Sequence, residues 1–141
     1  MGPRPRRHAR LAFDAERLVA HGSVVQRRML HRGRALRAGY VEAVAVAGPY
    51  RRRGLASAVM AELEQIIRGG YDLGVLSASD AGAALYLSRG WTLWQGRSAA
   101  LTPTGAVATP EEDGSLFVLP VTVDLDPAVE LICGWRDGDL W

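Results

Sequence analysis

The sequence predicts an α+β fold of three layers, in which helices flank a mixed, mostly antiparallel sheet. Two observations carry this prediction. Apolar and β-branched residues dominate residues 18–29 and 34–46, and the turn between them contains glycine, which is typical of two antiparallel strands. After them the patterns alternate between helix and strand, with further strands from Trp91 onward. A chain of 141 residues with 48% hydrophobic content can bury one core, so we expect one folded domain.

The individual elements are predicted from local patterns. Residues 40–46 are apolar apart from Glu42, which predicts a strand covered on both faces. After residue 53, apolar side chains recur at spacings of three and four until Gly69 and Gly70, so we expect a helix that ends there. We further predict a strand at residues 73–77, a helix at 81–89, a mobile loop at 101–113 and a strand at 115–119.

The turn formed by Arg51, Arg52, Arg53 and Gly54 precedes the first predicted helix. A helix N-terminus presents unpaired N–H groups and the positive end of the helix dipole, and guanidinium groups bind phosphate oxygens well. A di- or triphosphate is therefore the expected ligand of this turn. The alternative interpretation is a basic turn that is merely solvated.

Glu42 is the charged residue within the predicted strand at 40–46. A dry, unpaired carboxylate in such a strand costs several kcal/mol, so we expect Glu42 where the strand meets a cleft. In that position it is a candidate general base. The alternative interpretation is an ion-pair partner at the end of the strand.

Two motifs resemble one superfamily. Residues 51–56 read Arg-x-x-Gly-x-Ala between a strand and a helix, and residues 84–91 read Ala-Leu-Tyr-Leu-Ser-Arg-Gly-Trp. Together they resemble the acetyl-CoA pyrophosphate loop and the later helix and turn of the GNAT superfamily of N-acetyltransferases. The resemblance implies that Tyr86 is the general acid, the alternative being a packed helix residue, and that Gly74 lies in a splayed strand with which pantetheine pairs. It implies contacts with acetyl-CoA for Val44, Ala45, Val46, Arg51, Arg52, Arg53, Gly54, Leu55 and Ala56.

Within this superfamily the chain resembles the aminoglycoside 2'-N-acetyltransferase family over residues 20–141. The acceptor implied by that family is a cationic amino sugar. Glu112 stands where an aspartate is familiar in the family, so its reach differs by one methylene. The segments that carry the resemblance lie at residues 25–28, 37–42, 76–79, 85–91, 101–105, 117–120 and 135–141. By position it implies acceptor contacts for Glu42, Ser77, Glu112, Asp139 and Trp141.

The N-terminus departs from the family pattern. In the family a strand and a pair of helices precede the segment that resembles residues 20–28, and this chain shows no counterpart for them. Residues 1–10 are rich in arginine and proline without a hydrophobic period, so we expect a disordered leader before a GNAT-like domain at residues 11–141. The alternative interpretation is an upstream reading from a wrong start codon. A sheet without its first strand would have an open edge, which favours a homodimer.

The chemistry of amine acetylation assigns roles to the candidate residues. An amine that is protonated at neutral pH has to lose a proton before it attacks a thioester, and Glu42 is the candidate base. A backbone N–H within residues 44–46 is the candidate donor to the oxyanion, and Tyr86 is the candidate acid for the departing CoA thiolate. The chain contains no lysine, which excludes a Schiff-base mechanism.

Charge is divided unevenly along the chain. Residues 1–53 hold 13 arginines against 3 acids, a net charge of +10, whereas residues 54–141 hold 4 arginines against 12 acids, a net charge of −8. The basic part lacks the interleaved aromatic residues of single-strand binders, so we expect no nucleic-acid partner. The acidic part is suited to a cationic acceptor.

Other classes of site are not expected. Cys133 is the single cysteine, which excludes an internal disulfide, and it is expected to be a small buried side chain near the last strand. The three histidines do not form a metal-ligand pattern with it, so no metal is predicted. Since no apolar run is long enough for a membrane span or a signal peptide, we expect no membrane partner and a cytoplasmic location.

Three functional hypotheses follow from these patterns. The first is an acetyl-CoA-dependent N-acetyltransferase that acts on the 2'-amine of aminoglycoside antibiotics by direct transfer in a ternary complex, and so confers resistance. The second is a GNAT enzyme with another amine acceptor, such as a small polyamine or a protein N-terminus. The third is an inactive, truncated module that binds CoA.

Overall fold

The computed structural model describes residues 7–14, 17–48, 54–136 and 138–141. Two α-helices and nine strands are assigned within these ranges. The strands are β1 (Arg7–Asp14), β2 (Arg17–His31), β3 (Arg34–Val46), β4 (Leu73–Ser77), β5 (Thr92–Leu93), β6 (Ser98–Thr102), β7 (Gly105–Ala108), β8 (Leu116–Pro120) and β9 (Leu131–Gly134). The helices are α1 (Leu55–Gly70) and α2 (Asp80–Ser88), and a 3-10 turn spans Pro110–Glu112.

The strands form one mixed sheet in the order β5-β8-β4-β3-β2-β9-β6-β7, with β1 also paired to β2. The pairs β3/β4 and β6/β9 are parallel, and the other pairs are antiparallel. The predicted α+β class and mostly antiparallel sheet are therefore confirmed. The predicted strands and helices between residues 18 and 119 agree with the observed ones to within about three residues, apart from the segment at 101–113.

Buried side chains form one cluster on each face of the sheet. One face packs against α1 through Val59, Met60, Leu63 and Ile67, which recur at helical spacing and are at most 5% exposed. The other face is closed by the C-terminal part of the chain. Its cluster includes Met29, Tyr40, Leu73, Val75, Trp94, Val118, Leu131, Cys133 and Trp141. Cys133 is buried in β9, as predicted.

The parallel strands β3 and β4 separate towards their C-terminal ends. In the described part of the chain they pair over Ala38–Tyr40 and Leu73–Val75. Beyond that point β4 pairs with β8 up to Ser77, and β3 pairs with β2 up to Val46. The opening between the two strands leaves backbone groups of β3 without a partner from β4. The prediction that β3 is covered on both faces is wrong at this end, because Ala45 is exposed.

Gly74 lies in β4, one of the two separating strands, as expected, but it precedes the opening. It pairs with Gly39 inside the closed part of the two strands. A β-carbon at position 74 would lie 2.8 Å from Cη2 of Trp91 and 3.1 Å from Cδ1 of Ile67. Glycine is therefore required because the buried Trp91 ring lies directly against the backbone of β4.

The predicted disordered leader is wrong at its C-terminal end. Residues 7–10 belong to β1, which pairs with β2 from Arg7↔Val25 onward, and residues 1–6 lie outside the described residues. Sheet hydrogen bonds join backbone groups, so a segment without hydrophobic periodicity can still form a strand. Since β1 and β9 pair with β2, β2 is covered, and the outer strands of the described sheet are β1, β5 and β7.

The predicted mobile loop at residues 101–113 is a hairpin of β6 and β7 followed by the 3-10 turn. At the hairpin turn, Thr102 Oγ1 donates to the carbonyl of Gly105 at 2.7 Å. After the turn, Asp113 Oδ1 accepts hydrogen bonds from the backbone N–H and the hydroxyl of Ser98, both at 2.9 Å. The alternation signal is missing because alanine and glycine occupy most of β7.

Candidate active site

A cleft of about 370 Å³ lies where β3 and β4 separate. Side chains from both strands, from α2 and from the C-terminal segment converge on it, although they are far apart in the sequence. The lining residues are Tyr40, Val41, Glu42, Val44, Leu76, Ser77, Tyr86, Arg136, Asp139 and Trp141.

Glu42 projects into this cleft from β3, as its position in the strand predicts. Its side chain is 22% exposed and forms two ion pairs. Arg136 Nη1 donates to Oε1 of Glu42, and Arg7 Nη2 lies 3.5 Å from Oε2. The carboxylate is paired with the guanidinium groups of two arginines, so both sequence interpretations, cleft carboxylate and ion-pair partner, apply to it.

Tyr86 reaches the same cleft from α2. Its ring packs edge-on against Trp91, with 6.4 Å between ring centroids, and lies 5.8 Å from the Phe117 ring centroid. Burial among these rings raises the pKa of the Tyr86 hydroxyl above its ordinary value. Since that value is already about 10, the hydroxyl carries its proton at neutral pH and is able to donate it.

Residues predicted to bind the acceptor line two neighbouring pockets, and we call this set, Glu42, Ser77, Glu112, Asp139 and Trp141, the acidic wall. Ser77 Oγ donates to Oε2 of Glu112 at 2.9 Å, which joins the end of β4 to the 3-10 turn. Glu112, Asp139 and Trp141 together line a smaller pocket of about 300 Å³ beside the main cleft. Trp141 is 8% exposed, and its Nε1 donates to Oγ1 of Thr109 at 3.0 Å. The fold thus brings all five residues of the predicted acceptor set to adjoining walls.

A second groove of about 750 Å³ runs between the end of β3, the start of α1 and α2. Six of the nine residues predicted to contact acetyl-CoA lie in it. The other three, Arg51, Arg52 and Arg53, are outside the described residues, and so is Asp137 of the acidic tail. The lining residues are Val44, Ala45, Val46, Gly54, Leu55, Ala56, Ser57, Ala81, Gly82 and Leu85.

The start of α1 suits an anionic group. Gly54 precedes the helix with a φ of 75°, a conformation that glycine adopts without strain, and no side chain caps the helix. The N–H groups of the first turn have no carbonyl partner within a helix, so they are available to phosphate oxygens. Val44 lines both this groove and the cleft that holds Glu42 and Tyr86, which makes the two spaces neighbours.

Arginines that sequence reasoning did not assign also shape the cleft. The guanidinium carbon of Arg136 lies 5.4 Å from the centroid of the Tyr40 ring, and that of Arg27 lies 4.9 Å from it. Burial lowers the pKa of Arg27 and raises that of Tyr40. Arg136 lies 94 positions from Glu42 in the sequence, so no local pattern could show their pairing. Tyr40 had a weak signal, as an aromatic residue two positions before Glu42.

Two further findings concern sites of other classes. Among the described residues, no group of three or more histidine, cysteine or acidic side chains is arranged to hold a metal ion. Neither described helix has the length and hydropathy of a bilayer span.

The N-terminus of α1 lies on one side of the opening between β3 and β4, and the cleft that holds Glu42 lies on the other. This arrangement is suited to the transfer of a group from a phosphate-bearing donor to a positively charged acceptor. Comparison with known proteins identifies the class. The family model of the acetyltransferase (GNAT) domain matches residues 4–94, and the chain belongs to this family. The predicted superfamily is therefore confirmed.

Individual relatives agree with this assignment. The chain is 56% identical over 128 residues to an aminoglycoside 2'-N-acetyltransferase of Mycolicibacterium fortuitum. The aligned region covers 88% of this chain and 66% of that relative. The chain thus spans about two thirds of the length of the curated relative that it matches.

Solved structures share the fold. The GNAT family N-acetyltransferase YhbS of Escherichia coli, solved in complex with CoA, has a TM-score of 0.59 at 18% identity, over 88% of this chain and 63% of that chain. An acetyltransferase of Trypanosoma brucei has a TM-score of 0.52 at 27% identity, over 61% of this chain and 62% of that chain.

Proposed function

We propose that this protein is an acetyl-CoA-dependent N-acetyltransferase that acts on the 2'-amine of aminoglycosides and so contributes to antibiotic resistance. One observation carries the proposal. Glu42, Tyr86 and the acidic wall line a cleft that adjoins, at Val44, the groove at the start of α1. The identity of 56% with an aminoglycoside 2'-N-acetyltransferase favours this acceptor over other amines.

In the proposed mechanism, acetyl-CoA binds along the groove with its pyrophosphate at the N-terminus of α1. Backbone groups of residues 44–46, which β4 does not pair, bind the pantetheine arm and supply an N–H for the oxyanion. The ammonium group of the acceptor lies against the acidic wall and loses its proton to Glu42, directly or through water. The neutral amine then attacks the thioester carbonyl, and Tyr86 protonates the thiolate as the C–S bond breaks. The nitrogen gives its second proton to water, from which Tyr86 regains its own.

Other parts of the proposal rest on the sequence. We infer a cytoplasmic enzyme that uses no metal and no nucleic-acid partner. A homodimer is also part of the proposal. Among the outer strands of the sheet, β7 is exposed along its length, with Val107 52% exposed, and is the edge that we propose for self-association.

The function is tested by measuring release of the CoA thiol by the 141-residue chain with acetyl-CoA and two aminoglycosides that differ at the 2' carbon. One acceptor carries an amine there and the other a hydroxyl. Release with the amine alone is expected. Release with neither acceptor, while CoA binds, would favour the inactive module, and release with small polyamines alone would favour the second hypothesis.

We predict that Arg136→Gln lowers the KM for the cationic acceptor. The guanidinium of Arg136 pairs with Glu42, where the acceptor amine has to bind, so removing it removes a competing like charge. A partly exposed ion pair contributes about 1 kcal/mol, which corresponds to a decrease of about fivefold in KM. Steady-state kinetics with varied acceptor measure it.

The matched control for this prediction is Arg32→Gln. Arg32 pairs with Asp126 at 2.8 Å, and neither residue lines the cleft, so the KM for the acceptor should not change. An increase in KM for Arg136→Gln would contradict the prediction and would show that Arg136 supports acceptor binding.

A further inference from the structure

Glu64 on α1 is a buried carboxylate outside both the cleft and the groove. It is 3% exposed and accepts three hydrogen bonds from the segment that follows α2. Arg89 donates from Nε to Oε2 at 2.9 Å and from Nη2 to Oε1 at 3.0 Å. Trp91 Nε1 donates to Oε2 at 3.1 Å. A buried carboxylate with a bidentate arginine and an indole donor is a rigid junction between the two helices.

The two residues held by Glu64 also hold Tyr86. The backbone N–H groups of Arg89 and Trp91 both donate to the carbonyl of Tyr86, at 3.1 and 3.0 Å. The ring of Trp91 packs edge-on against the ring of Tyr86. The side chains of Arg89 and Trp91 therefore bind Glu64 while their backbones and one ring bind Tyr86.

Helix α2 packs against the core through partly buried side chains, among them Ala83, Leu85 and Tyr86. None of its residues is fully buried, whereas α1 presents a buried apolar face. A second contact strengthens the junction, because Arg89 Nη1 donates to the hydroxyl of Ser57 in the first turn of α1 at 2.7 Å. Because Ser57 lines the groove, the junction ties the position of Tyr86 to the proposed cofactor site.

We propose that Glu64 is a positioning residue for the transfer reaction: through Arg89 and Trp91 it holds the Tyr86 hydroxyl at the cleft. This inference rests on the proposed function, in which Tyr86 protonates the thiolate. Glutamine at position 64 would turn an N–H donor towards the donors of Arg89, so the junction opens while the side-chain volume is kept. The contacts of Ala83, Leu85 and Tyr86 with the core then hold α2 without the junction, and the hydroxyl shifts.

The test is a double-mutant cycle of Glu64→Gln and Tyr86→Phe with both substrates saturating. Glu64→Gln is expected to lower kcat about tenfold with both KM values unchanged, since small displacements of a reacting group cost this much or more. On the Tyr86→Phe background the same substitution should change kcat by less than about twofold. An equal loss on both backgrounds, or a loss through the KM for acetyl-CoA, would overturn the proposal.

Two further variants keep the cycle interpretable. Glu62→Gln, on the exposed side of the same helix, is the matched control and should leave kcat unchanged. If Glu64→Gln does not fold, Arg89→Lys replaces it in the cycle, since it keeps the charge and loses the bidentate contact. Full activity of Tyr86→Phe would refute its role as the acid, which is a failure of the proposed function.

A measurement that needs no catalytic activity distinguishes failure of the positioning role of Glu64 from failure of the proposed function. In nuclear Overhauser spectra, contacts between the Tyr86 ring and the rings of Trp91 and Phe117 should be present in the wild-type chain and in Glu62→Gln. They should weaken in Glu64→Gln. Unchanged ring contacts in Glu64→Gln would overturn the positioning role even if the wild-type chain acetylates none of the acceptors.

Discussion

Replacing Glu42 with glutamine is expected to lower kcat for acetylation of the acceptor amine by about 100- to 10,000-fold, the range of a lost general base. Glutamine keeps the size of the side chain but cannot accept the proton of an ammonium group. Acetyl-CoA binding should not change, because Glu42 does not line the groove at the start of α1. Steady-state kinetics and equilibrium dialysis with acetyl-CoA measure the two effects.

The outcome for Glu42→Gln also separates two roles of the carboxylate. An increased KM for the acceptor with unchanged kcat would mean that Glu42 attracts the cation and that another group takes the proton. Unchanged kinetics would refute both roles. Glu62→Gln serves again as the control, because Glu62 is exposed, pairs with Arg10 and lies outside the cleft.

Replacing Gly74 with alanine is expected to lower the free energy of unfolding by about 2 to 3 kcal/mol, the cost of overpacking a close-packed core. The new β-carbon would lie 2.8 Å from the Trp91 ring. That ring cannot easily move, since its Nε1 is bound to the buried Glu64. Equilibrium unfolding in urea measures the change.

The matched control is Gly69→Ala. Gly69 is exposed in the last turn of α1, where a new β-carbon would have no neighbouring atom within 4 Å, and alanine has the higher helix propensity. We expect this variant to be as stable as the wild-type chain or up to about 1 kcal/mol more stable. If Gly74→Ala were equally stable, the Trp91 ring would not be held against β4.

Local sequence patterns predicted the elements well where one physical signal dominated. The three- and four-residue spacing in α1 and the apolar runs of β2 to β4 are such signals. Local patterns failed to predict strands that are defined only by backbone hydrogen bonds to a neighbouring strand. Residues 7–10 form part of β1, and Gly105–Ala108 form β7, although neither segment alternates in polarity. Backbone hydrogen bonds to a neighbouring strand decide such elements.

The candidate site was likewise predicted in part from the sequence and determined in part by the tertiary structure. Local patterns predicted the carboxylate in an apolar strand and the glycine turn before a helix, whereas Tyr86 and the acceptor residues were implied by the family resemblance. The structure brings Glu42, Ser77, Tyr86, Asp139 and Trp141 to one cleft. The catalytic roles assigned to Glu42 and Tyr86 stay predictions.

By itself the sequence determined the fold class, which depends on local periodicity, and the family, which is implied by the resemblance of its motifs. Only the tertiary structure decided which charges meet. The pairing of Glu42 with Arg136 and the junction of Glu64 with Arg89 and Trp91 join residues 94, 25 and 27 positions apart. Such contacts depend on how strands and helices pack in space, and no local sequence pattern shows which residues so far apart in the chain will meet.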